Sequence, residues 1–118
     1  IPAANAIGTA RSIALLYGRL DEVLRPETIH LGRTELSRGV CAITDLPYAF
    51  GVGFELQSDR RSLGPPTNAF GHTGSGGSAH GAWPDERVGF SYITTELRSL
   101  ETDDRARRVL AELYNEVR

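Results

Sequence analysis

The residues best suited to chemistry stand together in Phe70-Gly71-His72-Thr73-Gly74-Ser75-Gly76-Gly77-Ser78-Ala79-His80-Gly81, two histidines, a threonine and two serines set among glycines. Glycine inside an extended run marks a turn, a bulge or something that must approach the backbone closely. On the glycines alone, the plain reading is a tight hairpin with bulges. A phosphate loop needs a lysine where Gly77 stands, although Gly71 and Gly76 are correctly spaced. Gly74 to Ala79 has the outline of a dinucleotide fingerprint, but Trp83-Pro84 follows in place of the required helix. A nucleophile elbow fails at both serines, because Thr73 precedes Ser75 and His80 follows Ser78 where glycine is needed. For metal binding His30, His72 and His80 are the only imidazoles and Cys41 the only thiol. On one continuous strand His72 and His80 would be more than about 20 Å apart, at roughly 3.3 Å per residue. A hairpin could close that gap, yet no ligand cluster emerges, and the expectation is no metal.

Composition narrows the classes further. The 118 residues suffice for one small domain with a single core. A hydrophobic share of 40%, a charged share of 24% and a net charge of −2 give no electrostatic case for nucleic acid or an anionic membrane. All 13 basic residues are arginine, and there is no lysine. The lone Cys41 cannot form an internal disulfide, which tilts the expected setting toward a reducing, cytoplasmic one. Ile1-Pro2-Ala3-Ala4 at the head, without methionine, suggests a processed or excised piece. No run is long and apolar enough for a membrane span.

The elements that must position the glycine stretch follow from periodicity. After an irregular lead-in to Gly8, Thr9 caps a buried helix with Ala10, Ile13, Ala14, Tyr17 and Leu20 on one face, widened by Leu16 and Leu24. Pro26 opens a short second helix with Glu27 near its positive end, burying Ile29, Leu31 and Leu36. Residues 1–47 are thus mainly helix and loop, the loop running through Val40-Cys41-Ala42-Ile43. Tyr48 to Leu56 alternates like one strand, with Phe50, Val52, Phe54 and Leu56 on a shared face. Ser58 to Asn68 is a polar loop broken by Gly64-Pro65-Pro66. The glycine stretch follows, then a turn at Pro84-Asp85-Glu86-Arg87 and a strand from Val88 to Thr95. Asp103 and Asp104 begin a final helix with Ala106, Val109, Leu110, Leu113 and Val117 as its apolar stripe. Residues 48–118 are therefore antiparallel strands plus a C-terminal helix. The fold class is α+β, with N-terminal helices and the last helix packed on the sheet.

An ordered set of motifs carries a resemblance. Asn5-Ala6-Ile7-Gly8-Thr9-Ala10-Arg11 before an apolar helix, Arg25-Pro26-Glu27-Thr28-Ile29, the Phe- and Gly-rich Tyr48 to Gly53, His72-Thr73-Gly74 with its glycines, a Pro-Asp turn and Gly89-Phe90-Ser91-Tyr92 occur in this order. The set resembles the C-terminal third of the β-lactamase-like serine hydrolases, the superfamily of penicillin-binding proteins, class C β-lactamases and related esterases. The resemblance implies a partial β-lactamase/transpeptidase-like fold across residues 1–118 as a single segment.

What the resemblance implies for chemistry is divided. Such enzymes use the serine of a Ser-x-x-Lys motif and the tyrosine of a Tyr-x-Asn-like motif. A chain without lysine holds no Ser-x-x-Lys, and none of Tyr17, Tyr48, Tyr92 and Tyr114 has asparagine two residues on. Nucleophile and base are therefore not in this chain, which is expected to be inactive alone. By the same resemblance His72 takes the place of the motif's cation, and Thr73 offers a hydroxyl to substrate. Gly74 lets substrate lie against the strand, and the Ser75 backbone N–H is one of two oxyanion donors. Histidine in place of lysine loses its charge above roughly pH 6.5. Thr95 stands near the place where class C β-lactamases put an asparagine that contacts the antibiotic carboxylate. Both features favour a neutral ester.

The expected function is the C-terminal portion of a carboxylesterase working through an acyl-enzyme, with no cofactor and no metal. Its partners are a small ester or amide substrate and the missing N-terminal portion. Self-association through exposed Phe50, Phe54, Phe90 or Trp83 is also expected. A β-lactamase, a D-alanyl peptidase of the same superfamily and a non-catalytic binding module remain alternatives.

Overall fold

The computed structural model describes Ala4 and residues 6–118. Residues 1–3 of the lead-in and Asn5, the head of the Asn5 to Arg11 motif, lie outside them. Three helices come first: α1 (Ala10–Gly18), α2 (Leu20–Val23) and α3 (Pro26–Arg33). Six strands follow: β1 (Ser37–Val40), β2 (Pro47–Phe50), β3 (Glu55–Leu56), β4 (Phe70–Thr73), β5 (Ala79–Trp83) and β6 (Val88–Tyr92). Helix α4 (Arg105–Val117) closes the chain.

Thr9 starts α1 through a capping box: its Oγ1 accepts from Ser12 N and Ser12 Oγ accepts from Thr9 N, both at 3.1 Å. The expected helix does not run on to Leu24. It breaks at Arg19, and its apolar face is half-buried rather than buried, with Leu16 50% exposed. The break follows a close approach. Gly18 and Ala14 press their backbones against Gly89 of β6, where any Cβ would collide with Ala14 O and Gly18 N. Pro26 occupies the first turn of α3 as expected, but Leu31 and Leu36 are exposed. The buried residue of α3 is Gly32, which leaves room for the Phe54 ring.

The sheet is an antiparallel meander in the order β1-β2-β3-β4-β5-β6. The continuous strand expected over 48–56 is instead two strands and a turn. Gly51 N donates to Phe54 O at 2.9 Å, Gly53 adopts φ +89°, and Phe50 faces Glu55 across the ladder. Val52 is thereby put at an exposed tip, while Phe54 folds back onto Phe70 and Tyr17, with ring centres 5.0 and 6.4 Å away. The expected shared face of Phe50, Val52, Phe54 and Leu56 does not exist. The passage read as loop contains β1, an edge strand exposed along its whole length. It carries no buried side, so it has no apolar alternation to read.

Opposite residues on β4, β5 and β6 sort the two faces. Ala79, Trp83 and Phe90 look toward α4 and form the core with Leu110, Leu63 and Ala69. Trp83 Nε1 donates to Leu63 O at 2.7 Å, which ties the 57–69 loop under the helix. Trp83 and Phe90 are 0% and 2% exposed, so the expectation that they stand open is corrected. On α4 the buried stripe is turned slightly from the expected one. Tyr114 packs edge-on to Trp83, while Val109 and Val117 face outward. Phe70, Ala82 and Gly89 lie on the opposite face, under α1 and Tyr17.

Candidate functional site

The glycine stretch folds as the hairpin β4-turn-β5. Gly71 and Gly81 face each other, and a Cβ on either would strike the partner strand's backbone, so the ladder closes only with glycine at both places. In the turn, Gly74 N donates to Ser78 O at 2.9 Å and Gly77 N to Gly74 O at 3.2 Å. Gly76 and Gly77 take φ of +99° and +112°, a conformation that side chains resist. Ser75 rides exposed on this turn, and none of the described residues accepts from its N–H.

The turn is pinned from outside. Arg105, at the start of α4, grips Asp103 through Nε to Oδ1 at 2.7 Å and Nη2 to Oδ2 at 2.6 Å. The same guanidinium donates to Thr94 Oγ1 at 3.0 Å and to Glu96 O at 2.9 Å. Its Nη2 lies 3.4 Å from Gly76 O, and Arg98 N donates to that oxygen at 3.2 Å. Asp103 is held down to about 2 chiefly by its hydrogen bond from the Arg105 side chain.

His72, Thr73, Gly74 and Ser75 are contiguous on β4 and the turn. The two-residue β3 pairs only with Phe70 and Gly71, so no strand pairs with the far end of β4 on that side. His72 is exposed, beside the Phe50 ring at 5.8 Å, with Nδ1 2.6 Å from Thr73 O. Only a protonated ring nitrogen can meet a carbonyl oxygen, so neutral His72 presents a bare Nε2. Directly opposite stands His80, half-buried, its Nδ1 2.8 Å from Ser91 Oγ. Burial first, and then the neighbouring His72, pushes the His80 imidazole below its ordinary value. The hairpin does bring the two histidines together. Among the described residues, however, no three His, Cys, Asp or Glu side chains gather as a metal set; His30 lies on α3 and Cys41 in the β1–β2 turn.

One residue escaped sequence reasoning. Glu55 is 7% exposed, and its Oε2 accepts from Thr73 N at 2.8 Å and from Thr73 Oγ1 at 2.7 Å. Its carboxylate thus stands in for the strand that β3 is too short to provide. The available signal was a charge between Phe54 and Leu56, which an amphipathic strand would simply turn to water. On this face Thr73 and Ser78 border a cleft of about 270 Å³ that also touches Arg60, Ser62 and Leu100.

Comparison with known proteins covers most of the chain. The model of the family described as Beta-lactamase matches residues 2–115. The chain is 30% identical over 104 residues to the Esterase/beta-lactamase LipL of Mycobacterium tuberculosis (strain ATCC 25618 / H37Rv), spanning 84% of this chain and 24% of that protein. It superposes with a TM-score of 0.84 at 27% identity on a novel penicillin-binding protein homolog from Caulobacter crescentus, over 92% of this chain and 32% of that one. A family VIII carboxylesterase shares the fold at a TM-score of 0.81 and 24% identity, over 94% of this chain and 32% of its own. The chain therefore spans about a quarter to a third of the length of these relatives. No described helix is long and apolar enough to cross a membrane.

Proposed function

This chain belongs to the Beta-lactamase family, with the fold of its serine hydrolases, and from that premise we propose that it forms the substrate-binding wall of a carboxylesterase. The observation that carries the proposal is the Ser75 N–H, left without an acceptor among the described residues on a turn held by Arg98 and Arg105, where β4 runs past the end of β3. A preorganised N–H of this kind stabilises the oxyanion that develops when an ester carbonyl is attacked, by typically a hundredfold to a thousandfold in rate (~10²–10³). The attacking serine and its activating lysine would come from polypeptide outside these 118 residues, which contain no lysine. Its Oγ adds to the ester carbonyl, the alcohol departs with a proton, and water then releases the acid from the acyl-enzyme. Gly74 allows the acyl group to lie along β4, and His72 flanks the carbonyl. The names of the relatives, an esterase/beta-lactamase and a carboxylesterase, support an ester as substrate.

The test is turnover of 4-nitrophenyl hexanoate by the 118-residue chain and by the complete protein with the preceding sequence. The complete protein is expected to hydrolyse it and the chain alone to be inert. Robust turnover by the chain alone, surviving Ser75→Ala and Ser78→Ala but abolished by His72→Ala, would overturn this mechanism. Preferential opening of a lactam or of a D-alanyl peptide by the complete protein would replace the esterase reading with its relatives.

A further inference from the structure

Glu55 does more than close a gap in the sheet. The carboxylate is buried, and among the described residues no arginine or histidine forms an ion pair with it. Its polar partners are the N–H and hydroxyl of Thr73, with Ser62 Oγ at 3.5 Å from the other oxygen. A threonine hydroxyl has one hydrogen to give, and a carboxylate is a stronger acceptor than a hydroxyl, a carbonyl or water. At 2.7 Å that hydrogen is committed to Glu55. Toward the cleft Thr73 is left with lone pairs.

We propose that Glu55 sets the charge preference of this site by fixing the direction of the Thr73 hydroxyl, so that the wall accepts hydrogen bonds from substrate and turns carboxylates away. The substrate class it fits is a neutral ester, or one bearing an N–H, O–H or ammonium group near its acyl carbon. Arg60 and Arg107 also border the cleft, but Glu101 and Asp104 stand against them, Asp103 being paired with Arg105. The Arg60 guanidinium is further engaged with Leu100 O at 2.8 Å. The surroundings therefore do not restore an anion site. Glu55 is a positioning residue here, acting through Thr73. The substrate named rests on the hydrolase reading above, whereas the direction of the hydroxyl does not.

The variant Glu55→Leu separates a polarity role from a merely structural one. Thr73 N and Thr73 Oγ1 both donate to one oxygen, Oε2, so removing the carboxylate frees the hydroxyl hydrogen for the cleft, whereas Glu55→Gln keeps an acceptor oxygen in that place. In the complete protein, kcat/KM is compared for 4-nitrophenyl hexanoate and mono-4-nitrophenyl adipate, acyl chains of equal length that differ by a terminal carboxylate. Glu55→Leu is expected to move the ratio toward the adipate by about tenfold or more, the scale of one hydrogen bond to a charged group. Glu55→Gln should leave the ratio near that of the parent, and the shift should shrink in a Thr73→Val background. An unchanged ratio, with both esters slowed alike, or a full shift without the Thr73 hydroxyl, overturns the proposal. A second measurement needs neither variant nor turnover: hexylammonium and hexanoate are titrated into the ¹⁵N-labelled 118-residue chain while the Thr73 and Gly74 amides are followed. Hexylammonium is expected to shift them and hexanoate not; equal response, or preference for hexanoate, refutes the role of Glu55. If the amides keep this preference while the complete protein hydrolyses no ester, the hydrolase reading falls and the inference about Glu55 stands.

Discussion

His80 and His72 face each other across one ladder position, yet their surroundings differ, since His72 is exposed and His80 is tucked against Ser91. Because burial lowers the affinity of His80 for a proton, the unfolded chain takes up that proton more readily than the folded one. The stability this group contributes is present above its ordinary value of 6.5 and is lost as pH falls through its depressed folded value. Thermal unfolding from pH 7.5 to 4.5 should show this loss, and His80→Gln should flatten the profile; an identical slope in the variant refutes the assignment. The residues of the site differ in how legible they were. His72, Thr73, Gly74 and Ser75 are neighbours in the chain, so a resemblance carried by one short motif was enough to propose roles for them. Glu55 meets Thr73 across 18 positions, through a strand register that no local pattern encodes. The pairing of His72 with His80 was open for the same reason until the turn length was known.

Among the elements, the hairpin turn separates two properties of glycine. Gly53 and Gly77 both hold positive φ, +89° and +112°, but a Cβ on Gly53 meets nothing within 4 Å, whereas one on Gly77 would strike the Asp103 carboxylate. Gly53→Ala should therefore cost only the strain of a side chain at positive φ, about 1–2 kcal/mol. Gly77→Ala should lose clearly more, because it also pushes Asp103 from the Arg105 grip. Urea unfolding of both variants decides it, and equal losses would mean the grip is unimportant. Helix α4 and the 84–87 turn were readable because each shows its period or its turn residues in a few adjacent positions. The β2–β3 hairpin was not, since Gly51-Val52-Gly53 continues the alternation of large and small residues while reversing the chain. Strand β1 had no buried face to announce it.

Over the whole molecule, the apolar surface expected at Trp83 and Phe90 is filled by α4, and the exposed apolar residues lie elsewhere. Leu15, Leu16 and Val23 stand 48%, 50% and 66% exposed on the first two helices. Such a surface favours a covering chain, either the rest of the polypeptide or a second copy. Sedimentation of the purified 118-residue chain is expected to show association rising with concentration. Leu15→Glu with Leu16→Glu should reduce it, and a monomer at every concentration refutes the expectation. The sheet's order has a consequence of another kind, for synthesis. Every strand pairs with the one made just before it, so each ladder closes locally as the chain lengthens, that of β3 and β4 over the 57–69 loop. Helix α1 is the exception, because its seat is on β6 and β5, the last strands to be made. Of the four helices described, α1 is made first and waits for its place until β5 and β6 follow, leaving the Ala14 and Gly18 backbone that seats against Gly89 uncovered until then.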